Sequence, residues 1–136
     1  MPRPGRVLLV DDDVRMARVF RDALSEDHEV VLAADAIDAL VRLASGERYD
    51  VVLCDVQMPQ MDGIEFHRRL RVLLPDEADR VVFASGDVGA PRVVAYFEAL
   101  PNVILEKPID LQGFGALVER RARRERATDV AAGEPA

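Results

Sequence analysis

The sequence predicts an α/β fold in which a doubly wound, five-stranded parallel sheet is covered on both faces by five helices. Five short apolar runs alternate along the chain with five segments of helical periodicity, which is typical of repeated strand–helix units. The runs are continuously apolar rather than alternating, as expected for strands buried on both faces of a sheet. The predicted strands are Arg6–Val10, Glu29–Ala33, Val51–Cys54, Arg80–Ala84 and Asn102–Glu106.

Each predicted helix follows a strand and repeats apolar side chains at spacings of three and four residues, which places them on one face. In chain order these apolar positions are Ala17, Phe20 and Leu24; Ile37, Leu40, Val41 and Ala44; Phe66, Leu70, Leu73 and Leu74; Val93, Phe97 and Leu100; and Leu111, Phe114, Leu117 and Val118. Asp13, Asp35 and Asp110 precede helices and are predicted to cap their first turns. Gly46 is predicted to end the second helix, and Pro75 the third.

The chain has 136 residues, one cysteine and a formal net charge of −7. The length fits a single domain. The negative charge argues against binding to nucleic acid or to anionic membranes, because both attract positively charged surfaces. Cys54 has no partner for an internal disulfide, and no apolar run is long enough to span a bilayer. We therefore expect a reduced, soluble, cytoplasmic domain.

The domain is predicted to occupy residues 1–126, and residues 127–136 are predicted to form a flexible tail or linker, since they lack periodicity. No further domain is visible after it, so we expect output through contact with another protein, or membership of a longer chain. The arginine-rich run at residues 120–126 has interleaved glutamates and no aromatic side chains. It is therefore predicted to be a solvated helix face rather than a nucleic-acid site.

Polar side chains follow four of the predicted strands at the points where the strands end. These side chains are Asp11 and Asp12 after the first strand, Asp55 after the third, Ser85 after the fourth and Lys107 after the fifth. In open α/β sheets the carboxyl ends of the strands form one edge, where ligands bind. Clustered carboxylates repel each other unless a cation joins them, and an oxygen-only donor set favours Mg²⁺. With Mg²⁺, the hydroxyl and the ammonium group would hold a phosphoryl group, for which Asp55 is a competent nucleophile.

The segments that carry these residues resemble the receiver domains of response regulators in two-component signalling, either stand-alone or attached to hybrid kinases. The resemblance rests on the acidic pair after RVLLV, on DVVLCDVQMPQMDG, on VVFASGD and on the Lys-Pro of EKPID. It covers about residues 6 to 124 in the family's order and spacing. It implies a flavodoxin-like fold with strand order 2-1-3-4-5, and a phosphoryl-accepting signalling switch rather than an enzyme.

Carried over position by position, the resemblance implies that Asp55 accepts the phosphoryl group and that Ser85 and Lys107 contact its oxygens. The residues implied to hold Mg²⁺ are Asp11 (mainly through water), Asp12, Asp55 and Gln57, the last through its backbone carbonyl. Pro59 and Gly63 are implied to shape the turn after the acceptor strand.

Three residues around the site carry further expectations. Gln57 and Asp87 lie two positions after Asp55 and Ser85, where they would flank the attacking water and tune dephosphorylation. Ile104 stands on the fifth strand where the family commonly has an aromatic side chain that swings inward on activation. The change at the output surface is therefore expected to be a small loop and helix shift.

The resemblance also implies the partners. A histidine kinase or a phosphotransfer protein would donate the phosphoryl group, and a downstream protein or a covalently linked kinase would read the signal. A homodimer through the fourth helix, fifth strand and fifth helix is compatible with the family. Neither nucleic acid nor a membrane is expected as a partner.

Two other functions compete with this interpretation. A haloacid-dehalogenase-like phosphohydrolase also phosphorylates an aspartate at a strand end, but its D-x-D-x-T/V motif is broken by Arg15. A receiver-like binding module that is never phosphorylated would not need carboxylates, a hydroxyl and an ammonium group together. His67 is predicted to fill space at the surface or in the core, and Cys54 to be buried in its strand, both without a chemical role.

Overall fold

A computed structural model describes residues 4–133 of the chain, and the side chains of residues 4–124. The strands are β1 (Arg6–Val10), β2 (Glu29–Ala33), β3 (Val51–Asp55), β4 (Val82–Ser85) and β5 (Ile104–Glu106). The helices are α1 (Val14–Leu24), α2 (Ala36–Ala44), α3 (Gly63–Leu73), α4 (Pro75–Arg80), α5 (Pro91–Phe97) and α6 (Leu111–Gly133). All strand pairs are parallel and the sheet order is β2-β1-β3-β4-β5, which confirms the predicted fold class and strand order.

The described residues form six helices rather than the five that the periodicity predicts. The additional helix is α4, a short segment that begins at Pro75. The sequence predicts only that Pro75 ends the third helix, but this residue also occupies the first turn of α4, where the missing N–H has no helical partner to lose. Because α4 extends to Arg80, β4 begins at Val82, two residues later than predicted. The helices predicted as fourth and fifth are therefore α5 and α6.

The last helix, α6, continues to Gly133, past the predicted domain end at residue 126. The sequence predicts a flexible tail or linker at residues 127–136, because that stretch has no apolar periodicity. Residues 134–136 lie outside the described residues, and the linker role stays a prediction. None of the helices in the described part of the chain is long and apolar enough to cross a membrane.

Alternate residues of the central strands build two cores, one on each face of the sheet. Leu8 and Val10 pack with the buried side chains of α2, α3, α4 and α5. Val7 and Leu9 pack with those of α1 and α6 on the other face. This double burial is the physical reason for the continuously apolar strand sequences, since both faces of each strand must be apolar.

The strand register brings the ends of four strands to one edge. Val10 of β1 lies opposite Cys54 of β3, so the residues that follow them, Asp11 and Asp55, are neighbours. In the next pairs Asp55 lies opposite Ala84, and Ser85 opposite Glu106. The residues that follow β1, end β3 and β4, and follow β5 therefore meet at the carboxyl edge of the sheet, as the strand-end pattern predicts.

Candidate functional site

Asp55 lies at the centre of this edge and is 7% exposed. Its Oδ1 accepts a hydrogen bond from the backbone N–H of Gln57 at 3.1 Å, and its Oδ2 accepts one from Lys107 Nζ at 2.9 Å. Both carboxylate oxygens are thus engaged, and they are held in a fixed orientation beside a cation.

Three carboxylates form the acidic cluster, which we define as Asp11, Asp12 and Asp55. One oxygen from each lies within 4.8 Å of the others. Burial raises the pKa of Asp11, and the charge of Asp55 adds to this effect, although a hydrogen bond from the Asp13 N–H opposes it. A raised carboxyl pKa means that the ionised form of Asp11 is less stable here than in water. A bound cation would stabilise that ionised form. The donor set consists of oxygen alone and fits Mg²⁺.

Lys107 supplies the positive charge of the site. Burial lowers its pKa, but the hydrogen bond and the charge of Asp55, together with the charge of Asp11, outweigh burial and raise the pKa. Its own backbone N–H donates to the Ser85 carbonyl at 2.9 Å, which fixes the end of β5 beside β4. Lys107 is therefore a permanent cation, directed at Asp55.

Ser85 is fully buried, and its hydroxyl lies between Gln57 and Asp87. The Gln57 carboxamide approaches Ser85 Oγ with Nε2 at 3.1 Å and Oε1 at 3.3 Å. The backbone N–H of Asp87 donates to the same oxygen at 3.1 Å, while the Asp87 side chain is exposed. The hydroxyl is thus held in place, and Gln57 touches both Asp55 and Ser85. The Gln57–Ser85 contact was not anticipated from the sequence.

The turn between β3 and α3 is built on two residues. At Gly63 a Cβ would lie 2.7 Å from the backbone oxygen of Asp55, so any larger residue would displace the acceptor strand. Asp62 caps α3 by accepting from the Glu65 N–H at 2.9 Å, and it forms an ion pair with Arg92 of α5. The cap was missed at the sequence level, although the D-x-x-E spacing of Asp62 and Glu65 is typical of a helix start.

The other predicted residues occupy the following places. Asp13 caps α1 and Asp35 caps α2 through their side chains, which confirms both predicted caps. Gly46 follows α2 with φ of +106°, a conformation that favours glycine and ends the helix. Ile104 lies on β5 opposite Phe83 and packs on the core formed with α3 and α5. Cys54 is buried, and burial raises the pKa of its thiol well above the ordinary value.

A cavity of about 450 Å³ opens beside the site, between α1 and the segment that joins β5 to α6. Asp55 and Lys107 lie at its polar side. Its remaining lining is mostly apolar and includes Met16, Val19, Phe20, Ile109 and Leu111. Met16 and Val19 are 56% and 58% exposed, so the cavity continues into an exposed apolar face of α1. Sequence periodicity gave no sign of it, because these two residues fall off the buried face of the helix.

The sequence profile of the response regulator receiver domain matches residues 7–119. The chain belongs to this family. Response regulator MprA of Mycobacterium tuberculosis (strain H37Rv) is 35% identical over 127 residues, which are 93% of this chain and 54% of MprA. The hydrogenase transcriptional regulatory protein HoxA of Bradyrhizobium diazoefficiens is 40% identical over 78 residues, 57% of this chain and 16% of HoxA. This receiver domain thus spans about half the length of MprA, and it matches a smaller share of HoxA.

Solved structures give the same family. The chemotaxis protein CheY4 of Vibrio cholerae superposes with a TM-score of 0.71 and 26% identity, covering 87% of this chain and 98% of that one. Receiver domains are signalling switches of two-component systems, in general not enzymes, and they generally bind Mg²⁺ at an acidic pocket. Nothing in these comparisons favours a phosphohydrolase or an unphosphorylated binding module.

Proposed function

We propose that this receiver domain accepts a phosphoryl group on Asp55 and changes its protein-binding surface in response. The observation that supports this most directly is the position of Asp55, which is buried beside Asp11 and Asp12 and accepts a hydrogen bond from Lys107 Nζ at 2.9 Å. A carboxylate held in this way can attack phosphorus while the adjacent cation offsets the charge that develops on the phosphoryl oxygens.

The proposed phosphoryl transfer needs no reactant besides Asp55 and the phosphorylated histidine of the donor. A carboxylate oxygen of Asp55 bonds to phosphorus, the bond from phosphorus to the donor's histidine nitrogen breaks, and the donor imidazole keeps that electron pair. Lys107 stays protonated throughout, consistent with its raised pKa, and the Ser85 hydroxyl is proposed to donate a hydrogen bond to a phosphoryl oxygen. Mg²⁺, when bound, would neutralise charge on the cluster and on the phosphoryl group. The residues proposed to hold it are Asp11, Asp12, Asp55 and the backbone carbonyl of Gln57.

A histidine kinase or a phosphotransfer protein is the proposed donor. The cavity beside Asp55 supports this assignment, because its apolar wall and the exposed Met16 and Val19 would pack against an apolar helix surface that carries the donor histidine. The acceptor carboxylate is reached from the same side, so docking and transfer can occur in one complex.

The proposed output surface is formed by α5, β5 and α6, and it would bind a downstream protein, a linked kinase or a second copy of this domain. Its exposed apolar residues include Val94 on α5 and Val103 just before β5. We propose that the domain itself is cytoplasmic, that it is not an enzyme and that it does not contact nucleic acid. The activity of any larger protein that contains it would depend on the attached parts, as the greater lengths of MprA and HoxA illustrate.

Phosphorylation by a small donor tests the acceptor. The wild-type domain is incubated with Mg²⁺ and acetyl phosphate, and the product is analysed by intact mass and by mapping of the modified residue. We expect one added phosphoryl group in the wild type and none in Asp55→Asn. Asp13→Asn serves as a matched control that removes a neighbouring carboxylate but keeps the helix cap, and it should be phosphorylated normally. Addition of a phosphoryl group to Asp55→Asn would refute the assignment.

A further inference from the structure

His67 is an entirely buried histidine of α3 that makes two hydrogen bonds outside the site. Its Nε2 lies 3.1 Å from the Ala78 carbonyl oxygen of α4, and its Nδ1 lies 2.8 Å from the Tyr96 hydroxyl of α5. A carbonyl oxygen can only accept, so Nε2 carries the hydrogen of the neutral ring. Nδ1 is then the acceptor, and the Tyr96 hydroxyl is the donor. The ring therefore connects α4 to α5 with a defined direction.

The surroundings favour the neutral form of this ring. Burial lowers the pKa of His67, and the charge of Arg71 adds to that effect, while the Ala78 carbonyl and the charge of Asp79 oppose it. The net direction is downward, so the imidazole keeps one hydrogen at neutral pH. In the neutral ring Nδ1 can accept from the Tyr96 hydroxyl.

Aromatic contacts join His67 to the strand that carries Ser85. The Phe83 ring lies 5.6 Å from the His67 ring and 4.7 Å from the Phe97 ring. Phe83 lies two residues before Ser85 on β4, so both side chains point to the same face of the sheet, toward α3 and α5. Phe83 therefore connects the strand that ends at Ser85 to the His67 and Phe97 rings.

Side chains connect helix α5 to α3 at two positions along α5. Arg92 pairs with Asp62 at the start of α3, and Tyr96, one turn further along α5, bonds to His67. The Arg68 guanidinium also lies over the Tyr96 ring, 5.1 Å from its centre. Because α5 has only seven residues and no side-chain N-cap, its position depends on contacts of this kind rather than on its own stability.

Asn102 bonds to the same Ala78 carbonyl that His67 contacts. The Asn102 amide nitrogen donates to the carbonyls of Ala78 and Val81, both at 2.8 Å, and this fixes the orientation of the amide. Its Oδ1 is buried and has no hydrogen-bond partner among the described residues. An unpaired buried acceptor is unfavourable, so the hydrogen bonds of this cluster are not fully satisfied in the present arrangement.

We propose that the Tyr96–His67 hydrogen bond is a latch that keeps α5 in its resting position and opens when Ser85 moves toward a phosphoryl group on Asp55. This inference depends on the proposed function of Asp55. It assigns Tyr96 and His67 as positioning residues. Through them a change at the site would alter the position of α5 without an aromatic side chain at position 104.

Tyr96→Phe tests the latch because it removes only the hydroxyl. If the bond exists in the resting state and not in the activated state, its loss favours activation. The apparent affinity for beryllofluoride, titrated with Mg²⁺ and followed by amide chemical shifts, should then rise about fivefold, as expected for one net hydrogen bond. Tyr49→Phe is the matched control, since its hydroxyl bonds to Glu47 before β3, at the opposite end of the sheet. That variant should bind beryllofluoride like the wild type.

A purely structural role for Tyr96 predicts a different result. Tyr96→Phe would then melt at a lower temperature and bind beryllofluoride with unchanged affinity, and this outcome would overturn the latch. The ¹⁵N shift of His67 Nδ1 in the wild type gives a second readout that needs no variant. It should move toward the value of a free acceptor nitrogen when beryllofluoride binds, and a constant shift would also overturn the proposal. Failure of the wild type to bind beryllofluoride at all would instead refute the proposed function, and the latch with it.

Discussion

Replacement of Asp11 by asparagine is the sharpest test of the electrostatics at the acidic cluster. The substitution removes one negative charge but keeps the shape of the side chain. The amide oxygen of the new side chain can still accept the hydrogen bond that Asp11 Oδ1 takes from the Asp13 N–H at 2.9 Å. Any change in stability in the absence of metal therefore reports the cost of the charge itself.

The expected gain follows from the separation of the carboxylates. Two unit charges at 4.8 Å, the upper limit within the cluster, repel by about 0.9 kcal/mol in water and by about 3.5 kcal/mol at an effective dielectric constant of about 20. Asp11 is partly exposed and is also attracted by Lys107, so solvent screening and this attraction favour the lower figure. We expect Asp11→Asn to stabilise the metal-free domain by about 1 kcal/mol, or about 3 to 6 °C in melting temperature.

The stabilisation produced by Asp11→Asn should increase as the pH rises. The raised pKa of Asp11 means that the folded domain binds this proton more tightly than the unfolded chain does. Wild-type stability therefore falls as pH rises from the ordinary value of 3.8 through the raised pKa. Asp11→Asn has no carboxyl group at this position, so its stability does not fall for this reason. The difference between the two proteins should be small below that window and reach its full size above it.

Thermal melts in EDTA at several pH values measure this difference, and melts with excess Mg²⁺ provide the complementary arm. Mg²⁺ should stabilise the wild type by mass action more than Asp11→Asn, because the variant offers a weaker donor set. Asp13→Asn changes net charge equally outside the cluster and should change the stability in EDTA by no more than about 0.5 kcal/mol. A variant that melts at or below the wild-type temperature at neutral pH, or a difference that does not vary with pH, would refute the reasoning.

Two further predictions concern the loops around Asp55. Gln57→Ala should slow loss of the phosphoryl group because the carboxamide that could orient water is gone, whereas Asp87→Ala should speed it by removing negative charge from the approach. Both variants should still be phosphorylated, and unchanged decay of the ³²P-labelled proteins would contradict the assignment. Gly63→Ala should lower stability by about 1–3 kcal/mol in urea melts, because its Cβ would lie 2.7 Å from the Asp55 oxygen. An unaffected midpoint would show that the turn can relax.

The parts of the structure that local sequence rules determine were predictable. Continuous apolar runs mark strands that are buried on both faces, and the parallel order then requires the residues after those strands to share one edge. For this reason Asp11, Asp55, Ser85 and Lys107 could be grouped from the sequence alone. The caps at Asp13 and Asp35 follow from the short reach of an aspartate to the next turn. The alternation of strands and helices and the membership of the acidic edge needed no information on tertiary packing, whereas the strand order came from the family resemblance.

Contacts between side chains that are distant in sequence were not predictable. His67 and Tyr96 are 29 positions apart, and their bond depends on how α3 and α5 pack, which periodicity does not encode. The contact of Gln57 with Ser85 likewise depends on the path of two loops. Helix α4 was missed for a different reason: Pro75 is compatible with either the end of one helix or the start of another, and six residues are too few to show a period.

The two faces of the sheet differ in a way that suggests a division of tasks. On the α1 and α6 face, the core next to Asp55 opens into a mostly apolar cavity, which suits reversible docking of a donor. On the face of α3 and α5, polar groups are interleaved with aromatic rings and lock particular orientations, which suits two discrete arrangements. β4 contributes to both cores, since Ala84 faces one and Phe83 the other. Its last residue, Ser85, therefore borders both faces: its backbone carbonyl accepts from Lys107 beside the cavity, and its side chain lies on the same side of the sheet as Phe83.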